Sequence, residues 1–159
     1  MWRFKSMLVL FISLFMLCAC QTKSSLGAFY SYETEYIGSE YDGSLTLRAW
    51  GEGASKKDAI EQAMKKALRD VIFKGITKGV SDYNMRPLVY DPNGAAKNQD
   101  YFNQFFADCG EYLNYVNLKD EKSNSRQVME NRQVYKYGVT VRVFRSALQQ
   151  KLQADGIIK

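Results

Sequence analysis

The chain has 159 residues, of which 46% are hydrophobic and 25% charged, and its net charge is +5. This length suits one domain and is short for two. With 11 glycines and 2 prolines the composition excludes a collagen-like chain, and 14% aromatic residues argue against disorder. The sequence contains no histidine, which excludes histidine-based acid–base relays, Ser-His-Asp systems and the commonest metal ligand.

Residues 1–19 are predicted to be a secretory signal. A basic start at Arg3 and Lys5 precedes an almost wholly apolar run from Met7 to Met16. This run is too short for a permanent membrane-spanning helix, which needs about 20 apolar residues. A short basic and apolar leader of this kind is typical of exported proteins, so these residues are excluded from the fold prediction.

The run ends in Leu17-Cys18-Ala19-Cys20, which resembles the lipobox of bacterial lipoproteins. The resemblance implies cleavage before Cys20 and attachment of palmitate-type acyl chains to that cysteine. Cys18 departs from the alanine, serine or threonine that is usual in this place. Two alternatives stay open, an ordinary signal peptide cut nearby and an uncleaved anchor. Because Gln21 is not aspartate and no acidic run follows it, the resemblance favours the outer membrane and its periplasmic face.

The expected partners follow from this location. Loss of residues 1–19 removes Arg3 and Lys5 and lowers the net charge by two, from +5 to +3. An exported protein of such modest charge is not expected to bind nucleic acid. We expect it to contact the lipid bilayer through the acylated Cys20, and to bind an envelope protein or a second copy of itself.

Cys109 is the one thiol that remains after cleavage and acylation. A single thiol cannot form an internal disulfide. The favoured interpretation is a small, buried, hydrophobic side chain. An intersubunit disulfide in an oxidising compartment is the alternative, and a catalytic thiol is least favoured because no histidine can activate it.

Residues 20–43 are predicted to be a lipidated tether followed by an aromatic arm. The first part is small and polar, as a tether from a lipid anchor should be. The arm contains Tyr30, Tyr32 and Tyr36, which share one side of an extended segment. Either the arm packs along its own domain, or it docks on a neighbouring subunit or partner.

Residues 44–159 are predicted to form a single α+β domain. Its first strand, residues 44–51, alternates apolar and polar side chains and places Trp50 on the polar face. A helix over 55–74 follows, with Ser55 as its N-cap. Its apolar stripe contains three alanines that allow close approach to a sheet, namely Ala59, Ala63 and Ala67. Its charged side, which includes Lys65, Lys66 and Arg69, is predicted to face solvent.

The remaining elements are shorter. They are expected in this order: a connection over 80–99 with a turn at 91–94, a helix over 101–108 capped by Asp100, strands over 112–118 and 134–144, and a last helix capped by Ser146. The predicted fold is therefore α+β. A small, mostly antiparallel sheet of about three strands is packed by one long helix, with short helices that include a C-terminal one.

The stretch from Leu45 to Gly53, followed by the three helix alanines, resembles a particular group of proteins. These are the small membrane-associated bacterial lipoproteins whose domain also occurs at the N-terminus of flagellar assembly protein T. The similarity covers about residues 44–152. It implies a non-enzymatic envelope component, often part of a larger assembly, and it supplies no active-site residues.

Motifs for chemistry are weak. Gly51 and Gly53 match half of a dinucleotide fingerprint, but Lys56 stands where its third glycine would fall, so a tight strand-to-helix turn is favoured. No carboxylate pair has a spacing that would create two different environments, and no calcium-loop spacing occurs. No catalytic, cofactor-binding or metal-binding residue is expected.

The sequence thus predicts function by contact. Trp50 is the leading candidate for an interaction surface, together with Tyr30, Tyr32 and Tyr36, because tryptophan is enriched at binding hot spots. The predicted function is that of an outer-envelope lipoprotein acting as a structural or accessory component through protein–protein contacts. The alternative is a membrane-anchored periplasmic ligand-binding module whose loop 80–99 and aromatic side chains shape a pocket.

Overall fold

The computed structural model describes residues 32–80, 84–120 and 135–159. The predicted signal, Cys20 and Tyr30 therefore lie outside the described residues. A compact unit runs from Tyr32 to Lys159. Its elements are β1 (Glu35–Ser39), β2 (Leu45–Gly53), α1 (Lys56–Arg69, continued by a π-helical turn at Asp70–Lys74), β3 (Lys78–Gly79), α2 (Gly94–Lys97), α3 (Gln99–Phe105), a 3₁₀ turn (Glu111–Asn114), β4 (Val116–Asp120), β5 (Tyr135–Val143) and α4 (Arg145–Ala154).

The fold is α+β, as predicted, but the sheet has five strands and not about three. Their order is β3-β1-β2-β5-β4, and every pairing is antiparallel except that of β1 with β3. The two strands that the sequence analysis missed are β1, which lies within the predicted arm, and the two-residue β3. Strand β3 is a two-residue edge of the sheet, and β1 beside it has only five residues, so neither has a long alternating pattern of its own.

The core lies between one face of the sheet and α1. Alternate residues of β2, Leu45, Leu47 and Ala49, are buried on this face. The alanine stripe of α1 packs against them, since Ala63 and Ala67 have no exposed surface. A Cβ at Gly51 would collide with the carbonyl oxygen of Ala59 in α1. The glycine therefore permits the close contact of helix and sheet that the small helix residues also require.

Helix α1 begins and ends as its sequence predicts. The Ser55 hydroxyl accepts a hydrogen bond of 3.2 Å from the Asp58 backbone N–H. This bond satisfies one of the donors left free in the first turn. At the other end Gly75 has φ +78°, a left-handed conformation that glycine adopts without steric cost.

The charged side of α1 is not uniformly solvated, which corrects the prediction for Lys65. Phe106 and Tyr112 pack over this side of the helix, and Lys65 is only 8% exposed. The Arg69 guanidinium lies 5.0 Å from the centre of the Phe106 ring. Helix α1 is thus covered by the sheet on one side and in part by residues 102–112 on another. Lys66 and Arg69 keep more exposure.

Other predictions fail at element ends. The predicted strand from Tyr112 begins only at Val116, because the Tyr112 ring is buried and residues Glu111–Asn114 form a 3₁₀ turn. Asp100 lies inside α3 and does not cap it. Ser146 lies inside α4, whose N-cap is Phe144, because the helix follows β5 directly. The turn at Asp91 is confirmed by the 2.8 Å hydrogen bond that the Gly94 N–H donates to the Asp91 carbonyl oxygen.

Candidate functional site

Trp50 lies on the face of the sheet opposite α1, as the alternation along β2 predicts. Its register partner on β5 is Gly138. A Cβ at Gly138 would come within 2.8 Å of the indole ring, so the ring rests directly on the glycine backbone. The ring of Trp50 can therefore pack flat on β5 because Gly138 has no side chain.

Tyr32 and Lys136 complete a small cluster around Trp50. The Tyr32 and Trp50 rings meet edge to face, with centroids 5.4 Å apart and an interplanar angle of 71°. The Lys136 ammonium lies 3.4 Å from the centre of the Tyr32 ring, in position for a cation–π interaction. Trp50 is half-buried by these contacts. The part of the arm that the structure describes thus packs on its own domain and narrows the exposed area of Trp50.

The rest of this sheet face is charged and internally paired. Arg48 lies 3.4 Å from Glu35, and Arg142 lies 2.8 Å from Asp42. Lys136 pairs with Glu52 in the same way. Solvent-accessible pairs of this kind contribute little to stability, and the opposite charges within each pair offset one another. The distinctive feature of the face is therefore its aromatic end at Trp50.

A groove of about 490 Å³ opens beside this end, between β2 and α1. It is lined by Tyr32, Trp50, Gly51, Glu52, Gln62, Lys65, Lys66, Arg69, Asp70 and Lys136. We call it the Trp50 groove. Its end near Tyr32 is held by two polar contacts: the Lys66 ammonium donates to the Tyr32 carbonyl oxygen at 2.6 Å, and the Thr34 hydroxyl donates to the Asp70 carboxylate.

Cations outnumber carboxylates along the Trp50 groove. Four lysine or arginine side chains line it, against the carboxylates of Glu52 and Asp70. The Lys65 ammonium is turned to Glu61 and Asp108, each at 2.9 Å. Arg69 is exposed and stacks on an aromatic ring, so its guanidinium keeps donors for an incoming group. The groove therefore combines aromatic, cationic and backbone surfaces, which suits an anionic or acidic ligand.

The structure brings together only part of the predicted surface. Tyr32 and Trp50 meet in the Trp50 groove. Tyr36 is directed to the other face, where its register partner is Leu47 and its ring packs against the core. Sequence reasoning missed Lys66 and Arg69, which it assigned to a solvated helix face. Their spacing of three residues, which places them on one side of the helix, is the signal that could have paired them.

A second groove, of about 700 Å³, lies on the other flank of α1 and contains Cys109. The prediction that Cys109 is buried is wrong, because the residue is exposed in a turn with φ +59°. Ile60, Met64 and Leu113 supply apolar surface beside it. The thiol lies outside the core because residues 107–110 form a tight turn between α3 and the 3₁₀ turn.

A polar network lies under this second groove. The Tyr112 hydroxyl donates to Glu61 at 3.0 Å, and Lys65 joins Glu61 to Asp108. Burial and the hydrogen bond to Glu61 raise the pKa of Tyr112 to about 12. The Lys65 ammonium holds the pKa of the Asp108 carboxyl below its usual range. These groups tie residues 108–112 to α1, and their contacts are structural.

Two further findings concern the described residues alone. Within residues 32–80, 84–120 and 135–159, no group of three or more His, Cys, Asp or Glu side chains converges as metal ligands. In the same part of the chain no helix is both long and apolar enough to cross a bilayer.

Comparison of the chain with protein-family models, curated proteins and solved structures gives no match.

Proposed function

We propose that this chain is an outer-envelope lipoprotein, acylated at Cys20, that acts as a structural or accessory component through protein–protein contacts. In this proposal the protein has no enzymatic role, and the Trp50 groove is its contact surface. The lipid anchor holds it to the periplasmic face of the outer membrane. The resemblances of the leader to a lipobox and of residues 44–152 to small envelope lipoproteins support this class of function.

The observation that carries the proposal is the composition of the Trp50 groove. A tryptophan and a tyrosine pack together beside Lys66 and Arg69, in a recess between β2 and α1. Tryptophan, tyrosine and arginine are the side chains most enriched at binding hot spots. A recess that combines all three offers a partner both apolar area and fixed charge.

Arg69 is the best position for a test of the contact surface. It is exposed, so Arg69→Glu reverses a charge in the groove, and the melting temperature checks the contact with the Phe106 ring that the substitution removes. Lys57→Glu is the matched control, because Lys57 is also exposed on α1 but does not line the Trp50 groove. We expect detergent-extracted wild type and Lys57→Glu to retain a partner that Arg69→Glu loses, with equal melting temperatures. Equal recovery by all three proteins would refute the groove as the contact surface.

The anchor is tested separately. Mass spectrometry of the membrane-purified protein should show loss of residues 1–19 and added acyl mass on Cys20. Cys20→Ser should release the protein from the membrane fraction, because each buried CH₂ of an acyl chain contributes about 0.8 kcal/mol. Intact residues 1–19 on an unmodified cysteine would contradict the lipoprotein assignment.

A ligand-binding module anchored to the membrane is the second candidate. The Trp50 groove favours it, because about 490 Å³ lies within the size range of small-molecule pockets and its cations suit an anionic ligand. Native mass spectrometry after gentle extraction separates the candidates. A defined protein assembly supports the first, and a monomer that carries a small molecule supports the second.

A further inference from the structure

We propose that the Trp50 groove binds its partner by strand addition. An extended, acidic polypeptide segment of the partner pairs its backbone with the edge of β2 at residues 49–53. This inference rests on the proposed function and names the kind of partner and the mode of contact. Strand addition to a sheet edge is a recurring mode of peptide recognition in which main-chain hydrogen bonds supply affinity.

The edge of β2 is only half covered. Strand β5 pairs with β2 along its whole length, from Leu45 to Gly53. Strand β1 pairs with it only from Leu45 to Arg48. In the part of the chain that the structure describes, no strand pairs with residues 49–53 on that side. Five residues at about 3.4 Å each make an edge of roughly 17 Å, enough for a short strand.

The chain before β1 turns away from this edge. Continued antiparallel pairing would place Thr34 opposite Ala49, but β1 begins only at Glu35. Thr34 instead donates its hydroxyl proton to Asp70 on the helix side, and Lys66 holds the Tyr32 carbonyl oxygen. These contacts direct residues 32–34 toward α1. The groove lies between them and the uncovered part of β2.

The two sides of an added strand would meet different surroundings. On the helix side the backbone of α1 packs directly on Gly51 and Gly53, so side chains of the added strand would lie along the flank of α1, beside the cations Lys66 and Arg69 that line the groove. On the other side the added strand would meet the ring of Trp50 and the Tyr32 ring that packs against it. The geometry therefore fits a segment in which acidic residues alternate with apolar ones, because successive side chains of a strand point to opposite faces.

Charge argues against this chain as the source of the occupant. Residues 1–31 contain no aspartate or glutamate, and they carry Arg3, Lys5 and Lys23. Residues 121–134 hold two glutamates against three basic residues. Neither segment complements the excess of cations in the groove. An acidic segment of another protein complements it, and like charges at a contact oppose binding.

The test uses the full chain in detergent and a synthetic nine-residue peptide in which glutamate alternates with valine. Binding is followed by calorimetry and by Trp50 fluorescence, with amide exchange of residues 49–53 as the structural readout. We expect binding with slower amide exchange at the edge. Arg69→Glu should weaken it by about tenfold or more, whereas Lys57→Glu should leave it unchanged. A peptide with lysine in place of glutamate should not bind.

The decisive control is the same acidic peptide with its backbone nitrogens methylated at alternate residues, in the two possible phases. One phase should lose binding, because it removes the N–H groups that pair with β2. Equal binding of both methylated peptides, or no binding of the parent peptide, would overturn strand addition. With either result the Trp50 groove would remain the proposed contact surface, provided that Arg69→Glu still loses the partner in detergent extracts. Binding that appears only after deletion of residues 20–31 would also overturn the proposal, since this chain would then be the occupant.

Discussion

Replacement of Lys65 by methionine should lower the free energy of unfolding, although this lysine lies on the charged side of an amphipathic helix. Lys65 is 8% exposed, and its ammonium lies 2.9 Å from both Glu61 and Asp108 and 5.2 Å from the centre of the Tyr112 ring. Methionine has a similar length and no charge. Lys65→Met therefore removes the polar contacts and retains most of the packing of the side-chain stem.

The size of the destabilisation by Lys65→Met depends on how Glu61 and Asp108 are solvated or paired once the ammonium is gone. Hydrogen bonds to charged groups contribute about 1.5–3 kcal/mol, and a stranded buried partner would add its desolvation cost. The Asp108 side chain is 92% exposed and regains water, and Glu61 keeps the Tyr112 hydroxyl. Removal of the ammonium also relieves its own burial cost. The net loss is then about 1–2 kcal/mol, below the 3–5 kcal/mol typical of a fully buried pair.

The pH dependence gives an independent check. Burial lowers the pKa of Lys65, but the hydrogen bonds that its ammonium donates to Glu61 and Asp108 outweigh burial and raise the pKa above the ordinary 10.5. A group whose pKa is raised on folding stabilises the fold fully below its unfolded pKa, and the contribution is lost as pH rises through the folded value. The stability gap between wild type and Lys65→Met should therefore be constant near neutral pH and shrink above about pH 10.5.

Urea denaturation at about pH 7 and about pH 11.5 measures both effects. Lys57→Met is the matched control, because Lys57 is an exposed lysine of the same helix. Its free energy of unfolding should stay within about 0.5 kcal/mol of that of the wild type. If Lys65→Met and Lys57→Met behave alike at neutral pH, then residues 102–112 do not cover this side of α1 and the reasoning is wrong.

Three further predictions test other parts of the fold. Ala63→Leu should destabilise the protein by roughly 1–3 kcal/mol, measured by denaturant midpoint, because Ala63 has no exposed surface and faces the sheet; a neutral effect would contradict the helix orientation. In an ultraviolet titration Tyr112 should ionise at about pH 12, and Tyr112→Phe should reduce by one tyrosine the late phase that Tyr101 and Tyr115 share. Cys109 should react with a thiol reagent in the native protein, and a thiol that reacts only in denaturant would place it in the core.

Long regular patterns are the part of the fold that could be predicted from the sequence. The apolar stripe of α1 repeats over five turns, and the alternation of β5 continues through Val139, Val141 and Val143, all buried in the structure. Each pattern contains enough turns or alternations to define its own buried face. The short strands carried no such signal. Strand β3 is two residues long and ends at Gly79, whose φ of +154° suits glycine and whose missing side chain lets the Tyr36 backbone approach.

The burial of Lys65 was not predictable from periodicity, for a different reason. A helical pattern identifies the face that is apolar, and it treats every polar side chain as solvated. Phe106 and Tyr112 come from a separate segment and cover a charged side of α1 with aromatic rings. Long cationic side chains tolerate such cover, since their stems are apolar and their ends find partners. The residues around Lys65 in the sequence do not predict its contact with this distant segment.

The Trp50 groove shows the same division between local pattern and tertiary contact. Alternation along β2 was sufficient to place Trp50 on the face opposite α1. The seat beneath the ring depends on Gly138, which is 88 positions away in the chain and reaches Trp50 only through the pairing of β2 with β5. On the helix side Gly51 plays the corresponding part, because any side chain there would push α1 from the sheet. Because neither Gly51 nor Gly138 has a side chain, the ring of Trp50, the uncovered edge of β2 and the cations of α1 all lie around the Trp50 groove.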